Sequence, residues 1–193
     1  MFKELLQLVV LLTVIFDPPA SFVVFFSATK DMIGIEKKRI AALSIIIAAL
    51  ISFIVLFARQ RVLVLFNTSI ENFKVAGGII LGILGIKMAL GHSLANVEKM
   101  KPDSARAIAA IIGTPLLTGP AAITAILVSR NDYGLFLTGL AIFIVLLCIG
   151  ILFYQASRIH RFVGKTAIQV ISTIFGLVTL AWGVMFIRTG LGI

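Results

Sequence analysis

Long runs of apolar residues alternate with short polar connectors along this chain. A transmembrane helix needs about 20 predominantly apolar residues. A membrane β-barrel would instead show short strands of alternating polarity. The pattern therefore predicts an all-α membrane protein with six transmembrane helices, over residues 4–28, 38–58, 71–91, 105–129, 134–155 and 167–189.

Proline interrupts two of these apolar runs at corresponding places. Asp17-Pro18-Pro19 lies inside the first run and Thr118-Gly119-Pro120 inside the fourth. Proline removes a helical hydrogen bond and clashes with the preceding turn, so the sequence predicts that helices 1 and 4 are broken. Pro115, one turn before Thr118, extends the predicted unwinding of helix 4. Broken membrane helices are typical of transporters, whose freed backbone groups hold a polar substrate.

The two interruptions belong to an internal repeat. Gly78 and Gly85 match Gly176 and Gly183 at an offset of 98 residues, and Pro19 matches Pro120 at an offset of 101. One membrane domain over residues 1–193 then contains a first repeat at about 1–92, a connector at about 93–104 and a second repeat at about 105–193. Because each repeat has three helices, the second must be inverted with respect to the first.

Composition excludes a soluble protein and several classes of function. The chain is 60% hydrophobic and only 13% charged, with a mean hydropathy of +1.15. The net charge of +9 comes from Lys and Arg in the connectors, which indicates membrane orientation and not nucleic-acid binding. Most of these residues fall in the first, third and fifth connectors, so we expect a multi-pass protein of the cytoplasmic membrane with both termini outside the cytoplasm.

The start of the chain has a lysine and an apolar run but no small-residue cleavage pattern, so we interpret it as part of the mature protein. The single cysteine, Cys148, cannot form an internal disulfide or a metal cluster. No nucleophile–base pair, phosphate-binding loop or metal-ligand spacing is visible in the sequence. We therefore expect neither an enzyme nor a cofactor.

Asp17 is the acidic residue that lies deep inside an apolar run, and it has two interpretations. A carboxylate in the membrane is costly, which favours a functional role such as binding a coupling sodium ion or proton. Alternatively, Asp17 caps the half-helix that begins with Pro18, and Thr118 caps the corresponding half-helix of the second repeat. The two roles are compatible with each other.

If both caps are correct, two half-helices begin at mid-bilayer and their N-termini converge. Helix N-termini carry unpaired N–H groups and partial positive charge, so they attract a carboxylate. Asp17 beside them would attract an ammonium group. The N-termini and Asp17 together therefore favour a zwitterion. The glycines of the third run predict close helix packing or room for a small substrate. The predicted substrate-binding residues are Asp17, Pro18, Pro19, Ala20, Ser21, Gly77, Gly78, Thr114, Pro115, Thr118, Gly119, Pro120 and Ala121.

Several of these motifs resemble the MarC family of membrane proteins. The resemblance rests on Asp17-Pro18-Pro19, on Gly77-Gly78-Ile79, on the stretch from Gly113 to Thr124, and on the stretch from Ala167 to Ser172. It covers nearly the whole chain. It implies six spans, a distant kinship with transporters of the lysine-exporter type, and transport of small neutral amino acids such as glycine and alanine.

The sequence supports three hypotheses from different classes. The first is a secondary transporter for small neutral amino acids that works by alternating access of two inverted halves, with sodium or proton coupling through Asp17. The second is a passive channel lined by the same broken helices, or an exporter for other small metabolites. The third is a scaffold that binds partners or forms oligomers through its glycine-rich helices. Import and export fit the pattern equally.

Overall fold

The computed structural model describes residues 2–29, 32–65, 67–90, 105–156 and 165–193, and these residues form helices and short connections without a strand. The helices are α1 (Phe2–Phe16), α2 (Pro18–Thr29), α3 (Gly34–Leu65), α4 (Ile70–Ala89), α5 (Ala105–Ile111), a π-helical segment (Ile112–Leu117), α6 (Pro120–Tyr154) and α7 (Lys165–Leu191). The predicted connector 93–104 lies outside the described residues.

Four helical stretches in this part of the chain are long and apolar enough to cross a bilayer. They are Gly34–Ala58, Ile70–Ala89, Pro120–Tyr154 and Gln169–Leu191. The remaining helices are shorter because the chain is interrupted where the sequence predicts. α1 has 15 residues and α2 has 12, each below the roughly 20 that a bilayer requires. The all-helical class and the breaks at Asp17 and at Thr118–Gly119 are thus confirmed.

α6 contains a third interruption, at Gly134. A straight helix of its 35 residues would be about 52 Å long, well beyond the apolar thickness of a bilayer. Gly134 has φ 84° and ψ 173°, a conformation that only glycine adopts readily. The predicted connector at 130–133 is helical in the structure, and the break lies one residue later. The single glycine supplies the change of direction, so the polar residues before it can remain helical.

The start of α4 also differs from the sequence prediction by one residue. The predicted helix begins at residue 71, but Ser69 is the N-cap of α4 and its hydroxyl accepts the Asn72 N–H at 3.4 Å. The Thr68 hydroxyl instead accepts the Asn72 side-chain amide at 3.3 Å. The two neighbouring hydroxyls compete for the same helix terminus, and the sequence does not distinguish them.

Two helix pairs and a buried centre organise the molecule. α4 packs along α7, and α3 packs along α6. α1 and α2 pack against both α6 and α7, and the rings of Phe25 and Phe153 stack with centroids 4.6 Å apart. Residues next to both helix breaks belong to the buried apolar core, Phe16 beside the first break and Leu117 beside the second.

Candidate functional site

The first break is a single residue with a left-handed backbone. Asp17 has φ 45° and separates α1 from α2. The residue before a proline is disfavoured in the helical region, and aspartate tolerates the left-handed region better than most residues. An N-cap residue normally has an extended backbone, so the geometry of Asp17 is not that of an ordinary cap. Its side chain is 3% exposed, which places a carboxylate inside the protein.

Hydrogen bonds close the backbone around this break. The Asp17 N–H donates to the Val14 carbonyl at 3.2 Å, and the Ser21 N–H donates to the Asp17 carbonyl at 3.0 Å. The buried Ser21 hydroxyl donates to the Phe16 carbonyl at 3.3 Å. Ser21 therefore satisfies a carbonyl that the interruption has freed. The side chain of Ala20 lies outside the described residues.

The second break has a different construction. The chain widens into the π-helical segment before it reaches Thr118 and Gly119. The Thr118 hydroxyl donates to the carbonyls of Gly113 at 2.8 Å and Thr114 at 3.0 Å. The N-cap of α6 is Gly119, and no side chain caps it. The predicted capping role of Thr118 is wrong, because its hydroxyl donates back to carbonyls of the π segment, where the Thr114 carbonyl also accepts the Thr118 N–H at 3.2 Å.

The two breaks differ in how many N–H groups they leave for an anion. In α2 the first two positions are Pro18 and Pro19, which have no N–H, and the Ser21 N–H is already bonded. In α6 only the first position is a proline, and the first backbone bond within the helix comes from Ile123 to Gly119. Helix geometry leaves the N–H groups of Ala121 and Ala122 without an intrahelical acceptor. The same geometry leaves only the Ala20 N–H at the start of α2, so α6 offers one donor more, and the carboxylate is at the break where α2 begins.

Elements next to the two breaks pack against each other. α2 packs against the π segment, and α1 packs against α6. Ala121, Leu117 and Phe16 belong to the same buried cluster. Thr114 and Pro120 are exposed, while Gly119 is half-buried. The side chain of Pro115 lies outside the described residues.

The predicted glycines lie beside α6 and α7. A methyl group at Gly77 would overlap the side chain of Thr124, one turn into α6, so Gly77 lets α4 approach the second break. A methyl group at Gly78 would lie 2.5 Å from the Gly183 carbonyl oxygen on α7. The space beside Gly78 is therefore occupied by α7. Its place in a substrate site stays a prediction.

A cavity of about 360 Å³ adjoins the first break. The sequence predicted Pro18 and Pro19 as site residues, and both lie in its wall. The stretch of α6 from Val145 to Leu152 and two side chains of α7, which the sequence did not single out, form the other walls. Their apolar character is common to every helix here, so sequence alone carried no signal for them. The wall contains Thr13, Pro18, Pro19, Phe22, Cys148 and Phe175, among others.

Two polar links join the halves of the chain near Gly134, and the sequence analysis assigned their Lys and Arg residues only to membrane orientation. Lys74 of α4 forms an ion pair with Asp132 of α6 at 3.1 Å. The Arg130 guanidinium donates to the Leu56 carbonyl of α3. The polar run Arg130-Asn131-Asp132 was the signal that could have indicated a contact rather than a solvated turn.

Comparison with known proteins identifies relatives over nearly the full length. The profile of the MarC family, described as "MarC family integral membrane protein", matches residues 2–193. The UPF0056 membrane protein PH0214 of Pyrococcus horikoshii is 31% identical, with 100% of this chain and 95% of that protein covered. The UPF0056 membrane protein YhcE of Escherichia coli (strain K12) is 31% identical, with 91% and 86% covered. No solved structure matches the chain.

Proposed function

Because the chain belongs to the MarC family of integral membrane proteins, we propose that it is a secondary transporter of small neutral amino acids. One observation carries the proposal: helices at the two breaks pack against each other, with a buried carboxylate at the first break and helix-terminal N–H groups at the second. An amino acid has an ammonium group that complements the first break and a carboxylate that complements the second. Asp17 attracts the ammonium group, and the N–H groups of Ala121 and Ala122 attract the carboxylate.

The uncharged character of the substrate follows from the same residues. A site in the membrane favours ligands whose charges are all paired, since an unpaired charge is costly there. Asp17 offers one negative charge, and the α6 N-terminus offers partial positive charge. A substrate side chain with its own charge has no described partner at either break.

Reciprocal glycine contacts support the inverted repeat on which alternating access depends. Gly78 contacts Gly183, and Gly85 contacts Gly176. The sequence match pairs Gly78 with Gly176 and Gly85 with Gly183. Exchanging the two halves therefore turns one contact into the other, which is the property of a two-fold interface. An axis in the membrane plane would pass between these contacts.

We place the protein in the cytoplasmic membrane with both termini outside the cytoplasm, on the basis of the Lys and Arg distribution. In this arrangement six spans cross the bilayer, and the broken helices account for the first and the fourth. A coupling sodium ion or proton would bind at Asp17, where the substrate ammonium group also binds.

Counterflow in proteoliposomes tests the proposal directly. Vesicles loaded with unlabelled glycine or alanine should accumulate the labelled amino acid transiently, because a carrier exchanges its substrate. A passive channel would equilibrate the label without accumulation. The absence of saturable counterflow over a panel of neutral amino acids would overturn the proposal.

The Asp17→Asn variant tests the assigned role of the carboxylate. Asparagine tolerates the same backbone conformation but cannot ionise, so the variant should fold and lose most of its counterflow. Glu36→Gln is the matched control, because Glu36 is an exposed carboxylate in the first turn of α3, away from both breaks. Equal activity of the two variants would show that Asp17 has a structural role only.

A further inference from the structure

The cavity beside the first break is apolar and half open, since Cys148 and Ile171 in its wall are exposed. Its volume of about 360 Å³ is roughly twice that of an engineered protein cavity that binds benzene. Thr13 supplies a hydroxyl and Cys148 a thiol, while the other side chains of its wall are apolar. A buried water needs two to four polar partners. The wall therefore favours an apolar occupant over water.

The position of the cavity relates it to the proposed binding groups. Pro18 and Pro19 follow Asp17 directly and form part of its wall. The residues that break the helix are therefore also the residues that border the apolar space. A ligand whose ammonium group is near Asp17 has this space within reach of a side chain. Glycine would leave the cavity empty.

We propose that this cavity is the side-chain subsite of the transporter, and that it selects amino acids with larger apolar side chains, of the valine, leucine and methionine class. The inference rests on the proposed function and extends its substrate range upward from glycine and alanine. A polar or charged side chain would lose hydration against an apolar wall. A single methylene group in a hydrophobic pocket changes discrimination by about tenfold or more, so leucine should bind at least tenfold more tightly than glycine.

Cys148 provides a direct probe, because it is the single cysteine of the chain and lines the cavity. Alkylation of purified protein in proteoliposomes with a small apolar maleimide can be followed by mass spectrometry. Leucine should slow the reaction saturably, and glycine at the same concentration should not. Decanoate serves as the probe for a hydrocarbon chain.

The control for general effects of the ligand is a cysteine elsewhere on the same helix. The Cys148→Ser/Phe143→Cys variant moves the thiol to a side chain that is 57% exposed and does not line the cavity. Leucine should leave its alkylation rate unchanged. Protection at both positions would overturn the inference.

Competition with labelled glycine separates this inference from the proposed function. Leucine should inhibit glycine counterflow, and Leu152→Trp, which places an indole in the cavity, should raise the inhibitory concentration of leucine about tenfold relative to the KM of glycine. Leu147→Trp is the matched control, because Leu147 is exposed on the same helix and does not line the cavity.

The outcomes of these experiments distinguish the side-chain subsite from the proposed transport function. One outcome is saturable glycine counterflow that leucine does not inhibit, together with no protection of Cys148 by leucine. That outcome would overturn the subsite and leave the proposed transporter intact. Protection by decanoate but not by leucine would identify a lipid-chain site and overturn the subsite. Failure of every amino acid to protect or to be transported would overturn both.

Discussion

At the residue scale, the two breaks use different side chains to keep backbone groups bonded within the membrane. Each unsatisfied carbonyl or N–H group costs about several kcal/mol in hydrocarbon. Ser21 bonds to the Phe16 carbonyl, and Thr118 bonds to two carbonyls of the π segment. Both hydroxyls thus serve carbonyls, whereas the N–H groups of Ala121 and Ala122 have no such internal acceptor. This asymmetry leaves donors for a ligand.

The Thr118 hydroxyl gives a prediction about stability. Thr118→Val keeps the shape of the side chain and removes both hydrogen bonds, so we expect the free energy of unfolding to fall by about 1 kcal/mol. Thr118→Ser should retain most of this stability. Thr189→Val removes two hydroxyl contacts with carbonyls from an exposed position on α7 and should cost less, because water can replace them there. Denaturant titration of the purified protein measures all three, and equal losses at Thr118 and Thr189 would contradict the assignment.

Gly134 gives a second prediction about stability, because its backbone conformation, and not a lack of space, favours glycine there. A methyl group at Gly134 would have no neighbour within 4 Å, yet φ is 84°. Gly134→Ala should therefore destabilise the protein by about 1–3 kcal/mol through backbone strain alone. Gly34→Ala is the control, since that glycine also has open space but no positive φ. A neutral Gly134→Ala in thermal denaturation would mean that α6 is not interrupted there.

At the element scale, α4 and α7 approach each other along a glycine seam, defined by Gly78 and Gly85 on α4 and by Gly176 and Gly183 on α7. Methyl groups at these positions would lie within 3 Å of backbone atoms of the opposite helix. Membrane helices associate mainly by close packing, because lipid is as apolar as their side chains. The seam therefore sets the distance between one helix of each proposed repeat.

The seam predicts opposite signs for two alanine substitutions on one helix. At Gly85 a methyl group would lie 2.6 Å from the Gly176 carbonyl oxygen, and at Gly82 the nearest atom is 4.0 Å away, on Leu180. Gly85→Ala should destabilise by about 1–3 kcal/mol because it forces the helices apart. Gly82→Ala should be neutral or stabilise by up to about 1 kcal/mol, since alanine favours the helix. Thermal stability in detergent checks both, and equal effects would argue against the seam.

At the scale of the whole molecule, the halves are joined by polar links near Gly134. Lys74 pairs with Asp132, and Arg130 bonds to the Leu56 carbonyl, so α3 and α4 of the first half are tied to α6 of the second. The Lys74 side chain is 15% exposed and that of Asp132 is 36% exposed. Such a pair contributes at most about 1 kcal/mol, which is weak enough to break in a conformational cycle.

This arrangement predicts that a covalent link between the same positions stops transport. In a Cys148→Ser background, Lys74→Cys/Asp132→Cys joined by a flexible bis-maleimide should lose counterflow, because alternating access requires the halves to separate at one side and then the other. Each single-cysteine variant treated with the same reagent is the control. Full activity of the cross-linked protein would show that this end of the molecule does not open during transport.

The sequence by itself determined the helical membrane class and the two breaks, and it matched the glycines of one half with those of the other. These features follow from local chemistry: apolar length, the geometry of proline and the absence of a glycine side chain act wherever the chain goes. Only the tertiary structure decided that Thr118 serves carbonyls, that Gly78 faces Gly183, and that Pro18 and Pro19 border an apolar cavity with α6 and α7. Those facts depend on contacts between segments that are distant in sequence. Because nearly every helix face of this chain is apolar, no local pattern indicates which helices contact each other.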